Sequence, residues 1–245
     1  MSRIHPDLAA QVTQVSNPVR SKTRSIPAPI RRNNYLFFDV ETTGLLPNRS
    51  EAADINKYPH ILQLSFIKYD MNTQSIVDTY NSYIKIGDDV EISEYVRDLT
   101  GITREKCNSG ATIIDAVTKL YEAYSWCDCL VAHNIDFDTK AIMVNIERHR
   151  EQFLTDAPYC FALFNTINEN MRQLERYCTM KKGTSLCNIL MDRNNGRPPN
   201  PKFPKLVELY SKLFDGQVPE GMHDSMVDTM ACMKCYLKMR HNIDM

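Results

Sequence analysis

No apolar run in this sequence approaches the roughly 20 residues that a membrane-spanning helix needs, and the N-terminus lacks a basic-then-apolar leader pattern. Neither membrane insertion nor secretion is expected. Regular cysteine spacing is missing too: the eight cysteines among 245 residues show no paired framework. Free thiols in a reducing, intracellular compartment are expected rather than a disulfide scaffold. There is no internal repeat, and no low-complexity run beyond the first residues. Charge of one sign is almost lacking in total, the net being −1, yet it is unevenly spread. Residues 1–34 hold Arg3, Arg20, Lys22, Arg24, Arg31 and Arg32 against Asp7, a net +5 that leaves −6 for the remainder. With its Ser, Pro and Gln and no sustained apolar period, this stretch reads as a mobile basic arm over residues 1–32. Such an arm suits loose attachment to a polyanion, or serves only solubility. A hydrophobic content of 43% is enough for one core, so residues 33–245 are expected to form a single domain.

What is present is a succession of short buried strands and longer amphipathic helices. Tyr35 to Val40 is a brief apolar run closed by the polar "ETTG", the mark of a buried strand. His60 to Asp70 and Ser75 to Ile86 flank the turn "DMNTQ" and predict an antiparallel hairpin. Ile113, Ile114, Val117, Leu120, Tyr121 and Tyr124 then recur at helical spacing. "CLVAHN" predicts another buried strand, and residues 137–153 predict one continuous helix with the basic "ERHR" on its far face. "LMDRNNGRPPNPK" reads as a loop, and Pro204 opens a helix bearing Leu206, Leu209, Tyr210 and Leu213. The last helix is expected over His223–Arg240. Hairpin strands followed by alternating strands and helices predict an α/β fold, a mixed sheet with helices on its faces.

Asp39 and Glu41 lie two residues apart at the end of the first strand, so they point to one side. Two like charges at the edge of a core repel, and their burial is costly unless a cation lies between them. Oxygen-only donors suit a hard divalent ion such as Mg²⁺ or Mn²⁺. A solvated strand end is the plainer reading of this pair alone. "HNIDFD", residues 133–138, and "HDSMVD", residues 223–228, add two more polar helix starts, and in a mixed sheet such ends converge on one edge. Asp136 and Asp138 are about 200° apart on a helix, so only one of them can face a metal. Asp224 and Asp228 share a helical face, and geometry does not choose between them. Cys232 and Cys235 raise a thiolate site as a rival, but one CxxC without a second pair is better read as packing.

Taken in order, "DVETTG", "HNxxFD" and "HxxxxD" resemble the three motifs of the histidine branch of the DEDD 3'-5' exonucleases, the group that includes the proofreading subunit of the bacterial replicative polymerase. "RDLTGIT" and the stretch from Lys202 onward are similar to that family as well, with Thr100 standing where the family often has histidine. The resemblance covers about residues 33–240 and implies a ribonuclease H-like mixed sheet, with antiparallel hairpin strands and parallel strands, flanked by helices. It implies two divalent metal ions, Mg²⁺ or Mn²⁺, held by Asp39, Glu41, Asp138 and Asp228, with His223 as general base. It selects Asp138 over Asp136 and Asp228 over Asp224. It also implies that Thr42, Thr43 and Leu45 grip and wedge a 3' end, while His133, Asn134 and Phe137 line the site. The expected activity is release of nucleoside 5'-monophosphates from single-stranded or frayed 3' ends, DNA favoured and RNA allowed, in proofreading, repair or RNA trimming, with a polymerase partner acting in trans. An inactive fold that only holds nucleic acid or a polymerase is the alternative.

Overall fold

The computed structural model describes residues 32–191 and 200–245. The expected arm up to Arg31 and the middle of the expected loop 190–202 lie outside the described residues. Arg32, counted with the arm, already belongs to the domain, since its Nε lies 3.2 Å from the Glu175 carboxylate.

The chain runs β1 (Asn34–Thr42), β2 (Ile61–Asp70), β3 (Ser75–Tyr83), α1 (Glu94–Thr100), α2 (Arg104–Asn108), α3 (Ile113–Trp126), β4 (Cys129–Ala132), α4 (Ile135–Arg148), α5 (Arg150–Asp156), α6 (Thr166–Arg172), β5 (Glu175–Cys178), α7 (Thr179–Cys187), β6 (Leu190–Met191), β7 (Asn200–Pro201), α8 (Leu206–Leu213) and α9 (Ser225–His241). β1 to β5 form one mixed sheet in the order β3-β2-β1-β4-β5. β1 pairs antiparallel with β2 and parallel with β4, and β4 pairs parallel with β5. The C-terminal ends of β1, β4 and β5 therefore share one edge.

β1 is buried on both faces. Leu36, Phe38 and Val40 point into a core shared with α3 and α4, while Tyr35 and Phe37 point into a second core beneath α8 and α9. Tyr236 of α9 is central to the latter, its ring centroid 5.3, 5.4 and 4.8 Å from those of Tyr35, Phe37 and Tyr177. Edge-to-face packing of this kind suits aromatic quadrupoles. Cys232 and Cys235 are buried in the same cluster, and burial raises both thiols, Cys235 to about 12. Both thiols pack among the apolar side chains between α9 and the sheet, as the packing reading of this CxxC expects. All eight cysteines are free. No helix among the described residues is long and apolar enough to cross a membrane.

Four sequence expectations are corrected. β3 stops at Tyr83 rather than Ile86, because Ile84 leaves to bridge Ala111 ahead of α3. The strands meet so closely there that a Cβ on Gly110 would lie 2.1 Å from the Tyr83 carbonyl oxygen. The helix expected over 137–153 breaks at His149 into α4 and α5. Within "ERHR", expected on the far face of that helix, Glu147 and Arg150 are exposed, but Arg148 turns inward and donates to the carbonyls of Ile55, Tyr58 and Pro59 at 3.0, 2.8 and 3.3 Å. Those bonds tie the polar loop after β1 to α4. The last helix begins at Ser225, since His223 has a left-handed φ of 71° and Asp224 is the N-cap. Sequence pattern assigns nothing between Leu154 and Ile189, where α6, β5 and α7 lie.

Candidate active site

The alternation that sends Tyr35 and Phe37 toward α9 carries Asp39 and Glu41 to the same side, one and two steps nearer the sheet edge. α9 presents a matching stripe. Cys232, Cys235 and Tyr236 lie four, seven and eight residues after Asp228, so Asp228 shares their buried face one turn nearer the helix start. Two apolar stripes packed against each other thus both end in carboxylates at one edge. Asp138 arrives from a third direction, on the first turn of α4 just beyond β4.

Asp138 is 2% exposed. Its Oδ1 accepts from the Val40 N–H at 3.3 Å, and its Oδ2 is buried with no hydrogen-bond partner. A buried carboxylate oxygen without a donor is costly unless a cation serves it. Asp138 is held well above the usual carboxylate range by burial and then by the Asp39 charge. Asp39 is likewise raised, first by burial and then by Asp228. Burial, with Asp39 and Asp228 beside it, pushes Glu41 up to about 9. Asp228 rises to about 6 through burial, an effect the His223 N–H opposes as it donates to Oδ1 at 3.4 Å. Oxygen donors from Glu41 and Asp228 and a ring nitrogen of His223 all lie within 4.8 Å of one another. The carboxylates at this edge collectively lack positive charge, and the donor set fits a hard divalent cation.

The competing carboxylates are otherwise engaged. Asp136 is exposed and pairs with Lys181 at 2.5 Å. Asp224 caps α9, its Oδ1 accepting from the N–H groups of Met226 and Val227 at 3.0 and 3.2 Å. Its Oδ2 leads to a residue that sequence reasoning missed. Gln63, 1% exposed on β2, donates through Nε2 to Asp224 Oδ2 and to Asn81 Oδ1, both at 2.9 Å, and accepts from the Ser225 N–H at 3.3 Å. The Ser225 hydroxyl donates to the Asp39 carbonyl at 2.7 Å. This chain of bonds fastens the start of α9 to β1, β2 and β3. The prior signal for it was a glutamine set among Ile61, Leu62 and Leu64 on β2.

The residues expected to meet a substrate are placed as follows. Thr42 is buried and its hydroxyl donates to the Gly44 carbonyl at 2.6 Å. The Thr43 hydroxyl accepts from the His60 N–H at 3.0 Å, and the Thr43 N–H donates to the His60 carbonyl at 2.9 Å. Both threonines thus shape the turn after β1, which presents Leu45 at 85% exposure. Asn134 adopts a left-handed conformation, φ 70°, at the start of α4, and Phe137 packs half-buried against the core. His133 is engaged on both ring nitrogens, with the Thr179 hydroxyl 2.9 Å from Nδ1 and the Pro204 carbonyl 3.1 Å from Nε2. The carbonyl only accepts, so Nε2 carries the proton and Nδ1 accepts from threonine. Burial lowers this histidine to about 4. It joins the end of β4 to the starts of α7 and α8.

The profile of the RNase T exonuclease family matches residues 36–236, and the chain belongs to that family, the DEDD exonucleases. Curated relatives include the PolC-type DNA polymerase III of Streptococcus mutans, 35% identical over 115 residues, and that of Listeria welshimeri, 36% over 114. These matches span 47% and 46% of this chain but 7% of each polymerase. Among solved structures, E. coli exonuclease I in complex with a dT13 oligonucleotide superposes with a TM-score of 0.58 at 18% identity, covering 86% of this chain and 42% of the other. The nuclease domain of 3'hExo, a DEDDh family member bound to rAMP, gives 0.57 at 15% identity, covering 86% and 93%. The fold is the ribonuclease H-like mixed sheet of these exonucleases.

Proposed function

We propose that this chain is a metal-dependent 3'-5' exonuclease that hydrolyses phosphodiester bonds from single-stranded or frayed 3' ends and releases nucleoside 5'-monophosphates. The observation that carries the reading is Asp138 Oδ2, buried without a donor at the edge where Asp39, Glu41 and Asp228 meet. These carboxylates would hold two divalent ions, Mg²⁺ or Mn²⁺, which supply the positive charge that neutralises the phosphate and eases activation of water. His223 is exposed beside Glu41 and Asp228, where it can take the proton of an attacking water; imidazole suits that role near neutral pH. The turn at Thr42 and Thr43 offers backbone to the terminal nucleotide, and Leu45 is free to slide under the last base. Asn134 and Phe137 flank the same edge. His133 acts by holding that edge together.

DNA is the favoured substrate, in keeping with the similarity to polymerase III sequences, and a polymerase is a candidate partner in trans. A 5'-labelled panel of DNA and RNA, single-stranded, duplex and mismatched, with Mg²⁺, Mn²⁺ or EDTA, tests the reading. A ladder shortening from the 3' end with either metal and none with EDTA is expected. Absence of hydrolysis with either metal on every substrate would overturn it.

A further inference from the structure

Apart from the carboxylate edge, a cavity of about 200 Å³ lies where the start of β2, the end of β3 and the junction of α4 with α5 meet. That is several times the roughly 30 Å³ share of one water. Its ionisable lining is His60, Lys85, Asp89, Arg148 and His149. The His60 backbone also holds the turn after β1, through its two bonds to Thr43. The cavity therefore adjoins the turn that presents Leu45.

The charge around this space is unbalanced. Arg148 commits its terminal N–H groups to the carbonyls of Ile55, Tyr58 and Pro59 and to Asn145 Oδ1, the last at 2.9 Å. None of these acceptors is charged, and among the described residues no carboxylate pairs with Arg148. Burial and then the Arg148 charge hold His60 down at about 4, and the same two causes lower His149. Asp89 acts on His60 in the opposite sense. It is exposed, however, and pairs with none of the four basic residues. Among the described residues neither histidine ring, nor Lys85 Nζ, nor Arg148 Nε makes a hydrogen bond. Four groups able to donate thus border one space, with two fixed positive charges against one negative.

We propose that this cavity is a phosphate site, in which His60, Lys85, Arg148 and His149 receive a phosphate group of a nucleic-acid strand, of a free nucleotide or of inorganic phosphate. A tetrahedral oxyanion accepts along several directions at once, which suits donors that arrive from three elements. It supplies the negative charge that Arg148 lacks. Each neutral imidazole offers it one N–H, and its charge favours the doubly protonated ring. The site stands on the cavity itself. Its use by a strand rests on the exonuclease reading, which seats the terminal nucleotide at the neighbouring turn.

The test compares wild type with Lys85→Gln, His149→Gln and the double variant, which remove donors but leave Arg148 with its carbonyls. Circular dichroism should show all of them folded. Calorimetry of inorganic phosphate on metal-free protein reads the site without turnover. Binding at one site is expected in wild type, about tenfold weaker in each single variant, the scale of one charge-assisted bond, and weaker again in the double variant. No binding by wild type, or equal affinity in wild type and the double variant, would overturn the site. Labelled oligodeoxythymidylates carrying one neutral methylphosphonate linkage, moved stepwise from the 3' end, then separate the sources by anisotropy. One position whose neutralisation weakens wild type about tenfold but leaves the double variant unchanged supports the site as a strand contact. Sensitivity at no position, with inorganic phosphate still bound, supports it as a site for free nucleotide or phosphate. Failure of wild type to hydrolyse any strand would sink the exonuclease reading, while the phosphate calorimetry would still decide the cavity.

Discussion

The starts of α4 and α9 solve one problem with different supports. Each follows a residue in left-handed conformation, Asn134 and His223. Each bears its buried carboxylate in the first turn, Asp138 and Asp228, followed by a threonine whose hydroxyl bonds back to the first helical carbonyl, Thr139 to Ile135 at 2.8 Å and Thr229 to Ser225 at 2.7 Å. Such back-bonding occupies a hydroxyl that would otherwise be buried unsatisfied. The extra aspartate marks the difference. At α4 it is Asp136, turned to solvent, and the helix has no side-chain cap; Asp138 is steadied only by backbone, the Val40 N–H and its own. At α9 it is Asp224, a cap tied through Gln63 to two strands. The α4 carboxylate is placed by depth, whereas that of α9, with its histidine, is placed by a hydrogen-bonded truss.

Removal of either buried carboxylate should break the site alike. Asp138→Ala and Asp228→Ala are expected to abolish 3'-end hydrolysis in a labelled-oligonucleotide assay, and robust activity in either would remove that residue from the site. His223→Ala should lower kcat by about 10²–10⁴-fold with end binding retained; a kcat near wild type would dismiss it as the base. Gln63→Leu should separate the two helices. It cuts the truss of α9 only, and a 10–100-fold loss in activity or Mg²⁺ affinity is the usual scale for a supporting residue. Asp136→Ala, the corresponding change beside α4, should leave both unchanged, with stability altered by less than about 0.5 kcal/mol. Equal effects of these two substitutions would erase the distinction.

The smallest expected effect is on stability against pH. Glu41, pushed up to about 9 by burial and its neighbours, holds in the folded protein a proton that the unfolded chain releases near about 4.3. The folded state binds more protons between those values, so metal-free stability falls as pH rises through them. From about pH 6.5, where an unfolded histidine is half deprotonated, to about 9, the thermal midpoint in EDTA should decline, less steeply in Glu41→Gln. A flat profile would remove the unmet charge on which the metal assignment depends.

Much of this was legible in sequence because it depends on period. The two-residue alternation of β1 fixed Asp39 and Glu41 on one face, and helical spacing separated Asp136 from Asp138. Asp224 and Asp228 could not be told apart by spacing, and the cap bonds to Met226 and Val227 distinguish them. Gln63 stayed silent because its partners, Asn81 and Asp224, are 18 and 161 residues away. α6, β5 and α7 were illegible for a related reason: β5 is a four-residue strand, "ERYC", whose pairing with β4 rather than its own pattern makes it a strand. Arg148 was placed on the far face of its helix because no local rule shows that the carbonyls of residues 55–59 would come to meet it.

Burial of β1 on both faces also sets what the in-frame loss of one codon from its gene would do. Loss of a single codon between those for Phe37 and Asp39 would exchange the two cores' residues along the rest of the strand, driving both carboxylates toward the α3 and α4 side and Val40 toward α9. A codon-deletion scan should therefore find this stretch intolerant as a block, without regard to which residue is dropped, while the exposed residues 48–53 absorb the same lesion.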